Sequence, residues 1–184
     1  MRRQPTARYW ITKLALEPHP EGGYFREIYR ATERIPSAAL PKRYHGPRAF
    51  ATSIYFLLAG AQISTLHRLA SDEQWHFYDG SALLLTTIAP NGALTETRLG
   101  HCAAAGEQFL AVIPAGTWMG ARLAAPAVAA LQRGGRERHR GYALIGCTVA
   151  PGFDFRDFTV GRRADLLRQF PQHRELITVL TMAG

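Results

Sequence analysis

Cysteine is scarce in this chain. Cys102 and Cys147 are the only two among 184 residues. Two are too few for a disulfide framework, and neither sits in a C-x-x-C pair, which points to a reducing compartment. A chain of this length buries about 70% of the surface its unfolded form exposes, so it needs no covalent staples. Long apolar runs are also missing. No window approaches the roughly 18 uninterrupted apolar residues of a membrane helix. The opening "MRRQPTARYWITKLALEP" is interrupted by Lys13 and Glu17 and has no small-residue cleavage site, so it reads as neither signal peptide nor anchor. The expectation by elimination is a cytoplasmic protein with no membrane partner. Internal repeats and low-complexity linkers are absent too, which leaves one domain over residues 1–184.

Lysine is the other rarity. Lys13 and Lys42 are the only lysines in a chain of net charge +8, so the positive charge is almost all arginine, and it is widely spread. The one dense run, Arg133 to Arg140 ("RGGRERHR"), lies in a glycine-bearing segment that reads as a solvated loop. A nucleic-acid surface calls for basic residues interleaved with exposed aromatics on one element, and here the aromatics lie in strand-like runs elsewhere. Nucleic acid is therefore not an expected partner.

What is present is a succession of short apolar segments. Residues 8–16 form a short helix with Trp10, Ile11 and Leu14 on one face, stopped by Pro18. After a turn at Pro18, Pro20, Gly22 and Gly23, residues Tyr24 to Ala31 alternate as a strand does. Residues 33–48 read as a loop. Strand candidates follow at "AFATSIYFLL", "AQISTLHRL", "EQWHFYDG", "ALLLTTIAP", "LTETRLG", "QFLAVIPAG" and "YALIGCTVAPGF". Asn91-Gly92 between two of them is a hairpin signal. Many evenly spaced short strands indicate a sandwich or closed barrel. The expected barrel core spans about residues 20–160, and the tail over 163–181 has helical spacing at Leu166, Leu167 and Phe170.

The densest chemistry lies in "HRLASDEQWHFYDG", His67 to Gly80. In an ideal pleat Glu73, Trp75, Phe77 and Asp79 face one way, and Gln74, His76 and Tyr78 the other. His76 then meets Glu73 only if a bulge shifts the pleat. A carboxylate on a barrel wall needs a partner, and His67 is the obvious one.

The layout His67, Glu73, Gly80 and then "IPAGTW", with Pro114 and Gly116, resembles the two motifs of the cupins. Metal-binding cupins use three histidines and a glutamate. On this sequence the resemblance keeps His67 and Glu73, puts Leu69 where the second histidine would stand and Met119 where the last would stand. Leucine binds no metal, and methionine is a soft ligand unsuited to zinc, iron or manganese. The blocks "LEPHPEGGYFREIYR", "SIYFLL", "HRLASDEQWHFYDG", "IPAGTWMGAR" and "GCTVAPGFDFRDF", spread from Leu16 to Leu180, resemble one branch, the DUF985 or cupin 5 family. The resemblance implies an all-β double-stranded β-helix (a jelly roll similar to sugar-nucleotide epimerases) with short terminal helices, and commonly a homodimer. The long aromatic strand Tyr24 to Ala31 also suits self-association.

The functional expectation is a metal-independent enzyme of isomerase or epimerase type acting on a polar or sugar-like small molecule, with no cofactor. His67, Glu73 and His76 are the catalytic candidates. Tyr24, Arg26, Tyr55, Trp75, Tyr78, Trp118 and Asp154 are the ligand-binding candidates, with Trp118 lining the same cavity as His67 and Glu73. Two other readings stay open: a non-catalytic small-ligand pocket, and a metalloenzyme that recruits His76.

Overall fold

A computed structural model describes residues 5–124 and 141–182 of the protein; the Arg133 to Arg140 run lies outside them. Two antiparallel sheets carry the fold. The six-stranded sheet runs in the order β1 (Glu17–Pro18), β2 (Tyr24–Arg30), β5 (Thr52–Ala59), β12 (Tyr142–Ala150), β7 (Asp72–Gly80), β10 (Leu110–Ile113). The five-stranded sheet runs β13 (Phe158–Val160), β6 (Ile63–Leu69), β11 (Trp118–Leu123), β8 (Leu83–Ile88), β9 (Leu94–Leu99). Within the segment expected to be a loop, β3 (Arg34–Ile35) pairs with β4 (Arg48–Ala49). The Asn91-Gly92 turn joins β8 to β9. Gly92 takes φ 84°, and the Asn91 side-chain oxygen accepts from the Ala93 amide.

The interior between the sheets is one apolar cluster. Phe56, Trp75, Phe77, Ile145 and Cys147 come from the six-stranded sheet, and Leu69, Leu85, Leu99 and Met119 from the five-stranded one. Each outer face is covered in part by helix. Helix α1 (Ala7–Lys13), capped by the Thr6 hydroxyl, lays Trp10, Ile11 and Leu14 over Leu57, Tyr142 and Leu144. Helices α2 (Arg163–Gln169) and α3 (Arg174–Val179) pack Leu166, Phe170 and Ile177 over Leu66, Ile88 and Trp118.

Three local features depart from the sequence reading. The segment after Gly116, absent from the strand candidates, is strand β11, central in its sheet. Its Trp118 points outward under α2 and α3, away from the interior, because its neighbour Met119 takes the inward position opposite His67. In β7 a register shift falls between Phe77 and Asp79 against β12. It turns Asp79 to the outer face, where its carboxylate accepts from the Tyr142 hydroxyl (2.7 Å) and the Trp10 indole (3.2 Å). Finally, β1 pairs only with Tyr24 and Phe25 of β2, so that side of Arg26–Arg30 has no strand partner among the described residues.

Candidate functional site

One end of the barrel interior opens into a cavity of about 340 Å³, walled by β2, β5, β6, β7 and β12 and by the segment Phe153–Phe158. His67 and Glu73 both face it, and both are more than nine-tenths buried. Two residues that sequence reasoning assigned only to a turn, His19 and Glu21, complete the polar cluster.

The turn exists to deliver them. Gly22 and Gly23 have φ of 106° and 72°, a region that favours glycine. A Cβ on Gly22 would lie 2.2 Å from the Ile63 carbonyl oxygen, and one on Gly23 2.7 Å from that of Leu57. The turn therefore presses backbone to backbone against β5 and β6. The Glu21 carbonyl accepts from the Thr65 amide (2.8 Å), and its side chain is carried inward. The signal in the sequence was a histidine and a glutamate two residues apart inside a turn that demands glycine.

Hydrogen-bond partners fix the protonation pattern. His67 Nδ1 lies 2.8 Å from the Thr65 carbonyl oxygen, which can only accept, so Nδ1 carries the proton and Nε2 offers its lone pair. That lone pair faces Glu21 Oε2 at 3.1 Å. Glu21 Oε1 accepts from the Ser64 hydroxyl at 2.9 Å. Every one of these contacts is satisfied if Glu21 is a neutral acid donating to His67. Burial pushes the Glu21 carboxyl up to about 8, against the opposing Ser64 hydrogen bond, and burial pulls the His67 imidazole down. His19 Nδ1 accepts from the Glu21 amide at 3.3 Å; burial, then the neighbouring His67, hold it down at about 4, so it is neutral at ordinary pH.

Glu73 differs from Glu21. Burial raises it to about 7, with His67 pulling it back and Glu21 pushing it further up. The Trp75 indole and Cys147 thiol stand beside it and favour its ionised form. Neither reaches Oε2 with hydrogen-bond geometry, so that oxygen is buried without a partner. Cys147 also lines the cavity, and burial pushes its thiol well above its ordinary value, so it is no thiolate.

Phenyl rings form the rest of the wall. Phe25, Phe56 and Phe158 meet the His19 ring edge-on, with centroids 4.5, 5.8 and 6.2 Å away. Phe153, Phe155 and Phe158 pack edge-on to one another at the mouth. This strap is anchored by Asp157, which receives two 2.6 Å hydrogen bonds from the buried Arg48.

The other sequence candidates lie elsewhere, with Asp154 the exception. It stands at the cavity rim, held by Arg156 at 2.7 Å. Tyr24 packs under α1, and Arg26 donates to the Leu14 carbonyl, while their alternating neighbours Phe25 and Glu27 line the cavity. His76 pairs across the outer row with Leu110 and Gly146, on the face opposite Glu73, so the two do not meet. Tyr55 and Tyr78 stand on that same outer face, 6.0 Å apart, and Tyr78 lies over Gly146 so closely that a Cβ there would meet its hydroxyl at 2.3 Å. Trp75 is buried in the core against Phe56 and beside Glu73, and does not line the cavity.

The chain matches the family model described as Cupin superfamily (DUF985) over residues 8–161. It belongs to that family. A protein of Shewanella oneidensis whose crystal structure is known shares 33% identity with this cupin, with a TM-score of 0.82 over 98% of this chain and 100% of that one. A hypothetical protein from Leishmania major gives 32% identity and a TM-score of 0.84, over 97% of this chain and 100% of that one. Oxalate decarboxylase from Bacillus subtilis, at 15% identity and a TM-score of 0.50 over 91% of this chain and 40% of that one, shares the fold alone. No curated protein matches the chain.

The cupin fold raises the matter of a metal. The donors here do not fit the three-histidine, one-glutamate set. Leu69 and Met119 occupy two of its positions, Met119 being paired across the sheet with His67. The Nε2 atom of His67 is turned to Glu21, and no group of three His, Cys, Asp or Glu among the described residues is arranged to hold an ion.

Proposed function

We propose that this cupin is a metal-independent isomerase-type enzyme that moves a proton on a small polar molecule bound in the 340 Å³ cavity. The observation that carries this reading is the Glu21–His67 pair, which holds one proton at 3.1 Å inside a largely apolar enclosure. In its acid form Glu21 is neutral and His67 accepts from it. In its base form Glu21 is a carboxylate that lacks an ion partner and is therefore strongly basic for a carboxyl group. Such a base takes a proton from carbon beside a carbonyl and, as the acid, returns it to the neighbouring position, so that no net proton is consumed. Glu73, with its free Oε2, holds and orients a polar group of the substrate. The phenyl walls exclude water from the transfer.

The test is deuterium wash-in from D2O, followed by NMR, into a panel of small α-hydroxy and α-amino carbonyl compounds. Exchange should rise with pH towards a plateau above about 8, where Glu21 becomes the carboxylate. Glu21→Gln and His67→Ala should each lower it by roughly 10²–10⁴-fold. Glu73→Gln should chiefly raise KM, and His76→Ala, on the outer face, should leave the rate unchanged. Ligand retention without exchange in any compound would favour a non-catalytic binding pocket.

A second copy of the chain is the partner that suits the open side of Arg26–Arg30, where Ile28 and Tyr29 are exposed. A light-scattering mass of one chain at micromolar concentration would remove this part of the proposal.

A further inference from the structure

We propose that the cavity ligand carries an amine, bound as an ammonium ion against Glu73 and the surrounding phenyl rings. This deepens the reading of the cavity as a substrate site by naming the chemical class of the substrate.

The argument begins with charge. The whole chain carries a net +8, yet its cavity is lined by four carboxyl groups, Glu21, Glu27, Glu73 and Asp154, and by one arginine, Arg30. At the mouth these charges are already matched. Arg30 forms a two-pronged pair with Glu27 (2.9 and 2.6 Å) and donates its remaining arm to the Phe153 carbonyl, and Arg156 holds Asp154. In the depth they are not. Glu21 and Glu73 face no lysine or arginine of the cavity lining. The imidazoles there are poor sources of charge: His19 Nδ1 accepts from a backbone amide, His67 turns Nδ1 to the Thr65 carbonyl, and burial disfavours the charged form of both rings. Cys147 is a buried thiol.

Glu21 has hydrogen-bonding partners in Ser64 and His67, whereas Glu73 has the Trp75 indole and Cys147 thiol beside it and an Oε2 that takes no hydrogen bond. A buried carboxylate oxygen without a hydrogen bond costs about 1–3 kcal/mol or more. A binding site retains such a group when the ligand supplies what is missing. The missing piece is a donor, and the local charge calls for a cation. An anionic ligand would set a second negative charge against an ionised Glu73. A neutral hydroxyl would satisfy Oε2 but leave the charge of an ionised Glu73 unmatched.

The walls point the same way. Phe25, Phe56, Phe153, Phe155 and Phe158 all line the cavity, and phenyl faces attract a cation within about 6 Å of the ring centre. Binding is then coupled to a proton. Glu73, which burial holds near 7, must ionise to pair with the ammonium, so near pH 6 a proton leaves the site as the ligand enters.

The experiment uses matched probes that differ in charge and little in shape: choline against 3,3-dimethylbutan-1-ol, and glucosamine against glucose. Calorimetry on the full chain should show the cationic member of at least one pair binding roughly tenfold to a hundredfold tighter than its neutral partner. At pH 6, titrations in buffers of different ionisation enthalpy should show close to one proton released per site, and fewer at pH 8. Glu73→Gln should bring the two members to similar affinity while its thermal unfolding stays cooperative. Equal affinity within each pair, tighter binding of the neutral member, no binding of either member, or a preference that survives Glu73→Gln would overturn the inference. Amine binding without deuterium exchange would keep it and remove the isomerase reading; exchange confined to neutral or anionic compounds would do the reverse.

Discussion

The two ends of the barrel interior are built from the same strands and differ in almost every physical respect. Strand β7 passes through both. At its start Glu73 faces open cavity, and four residues later Phe77 is packed against the rest of the apolar cluster. Strand β12 does the same in reverse, with Ala143 and Ile145 in the sealed end and Cys147 and Val149 on the cavity wall. From Glu73 to Phe77 and from Ile145 to Val149 the two strands keep one register, so over these stretches the backbone does not make the difference. Side-chain size and one inserted turn make it. Where leucines and phenylalanines meet across the sheets, the interior closes. Where the Gly22–Gly23 turn brings in His19 and Glu21, polar side chains stand round open space, and rings from the Phe153–Phe158 strap line its mouth. A barrel of this size can therefore be a core at one end and a site at the other without any change of topology.

The sharpest way to break this comparison is to remove one phenyl ring from each end. Phe77 is 6% exposed and surrounded by cluster residues, so Phe77→Ala should cost about 3–5 kcal/mol, as in other well-packed cores. Phe158 already has cavity on one side, so its ring has fewer partners to lose, and Phe158→Ala should cost no more than about half as much. Denaturant unfolding of the two variants at one pH measures both. Equal losses would mean that the cavity end is as tightly packed as the sealed end.

Much of this was legible in the sequence, and the misses have two causes. The order of strands from β5 to β10 and the Asn91-Gly92 hairpin follow from spacing and turn chemistry. Strand β11 does not show itself, because α2 and α3 cover its outer face. With Trp118 buried outside and Met119 and Ala121 buried inside, no alternation of polar and apolar residues remains to be read. The same parity governs the ligand candidates. Sequence reasoning selects Tyr24 and Arg26 where Phe25 and Glu27 line the cavity, an offset of one residue that reverses the face. His19 and Glu21 are hidden differently. Their motif, "HPEGG", has the composition of a turn, and it is a turn; only the contact of its backbone with β5 and β6 shows that it points into the barrel.

A smaller effect tests the electrostatic half of the comparison. The apolar cluster brings no ionisable side chain to the sealed end, its Cys147 standing on the cavity wall, whereas Glu21 ties the stability of the cavity end to pH. Its carboxyl is raised from 4.5 to about 8 by burial. Between these values the unfolded chain has released this proton and the folded chain still holds it, so the native state binds more protons and stability falls as pH rises. The stabilising contribution is complete below pH 4.5 and lost above about 8. His19, lowered to about 4, acts in the opposite direction between pH 4 and 6.5, but it is present in both proteins being compared and cancels. Glu21→Gln keeps a neutral side chain of the same shape, able to accept from Ser64 and donate to His67, at every pH. The variant should match the parent near pH 5 and become progressively more stable than it up to pH 8. A tenfold difference in proton affinity between the folded and unfolded chains corresponds to about 1.4 kcal/mol. Because His67 shares the proton, the gain at pH 8 should be on the order of 2 kcal/mol rather than the full amount. Unfolding free energies measured at pH 5, 6, 7 and 8 follow this directly. A difference that stays flat across that range would mean that Glu21 is ionised in the folded protein at pH 5, as a carboxylate paired with an imidazolium, and the Glu21–His67 pair would then hold its proton on the ring.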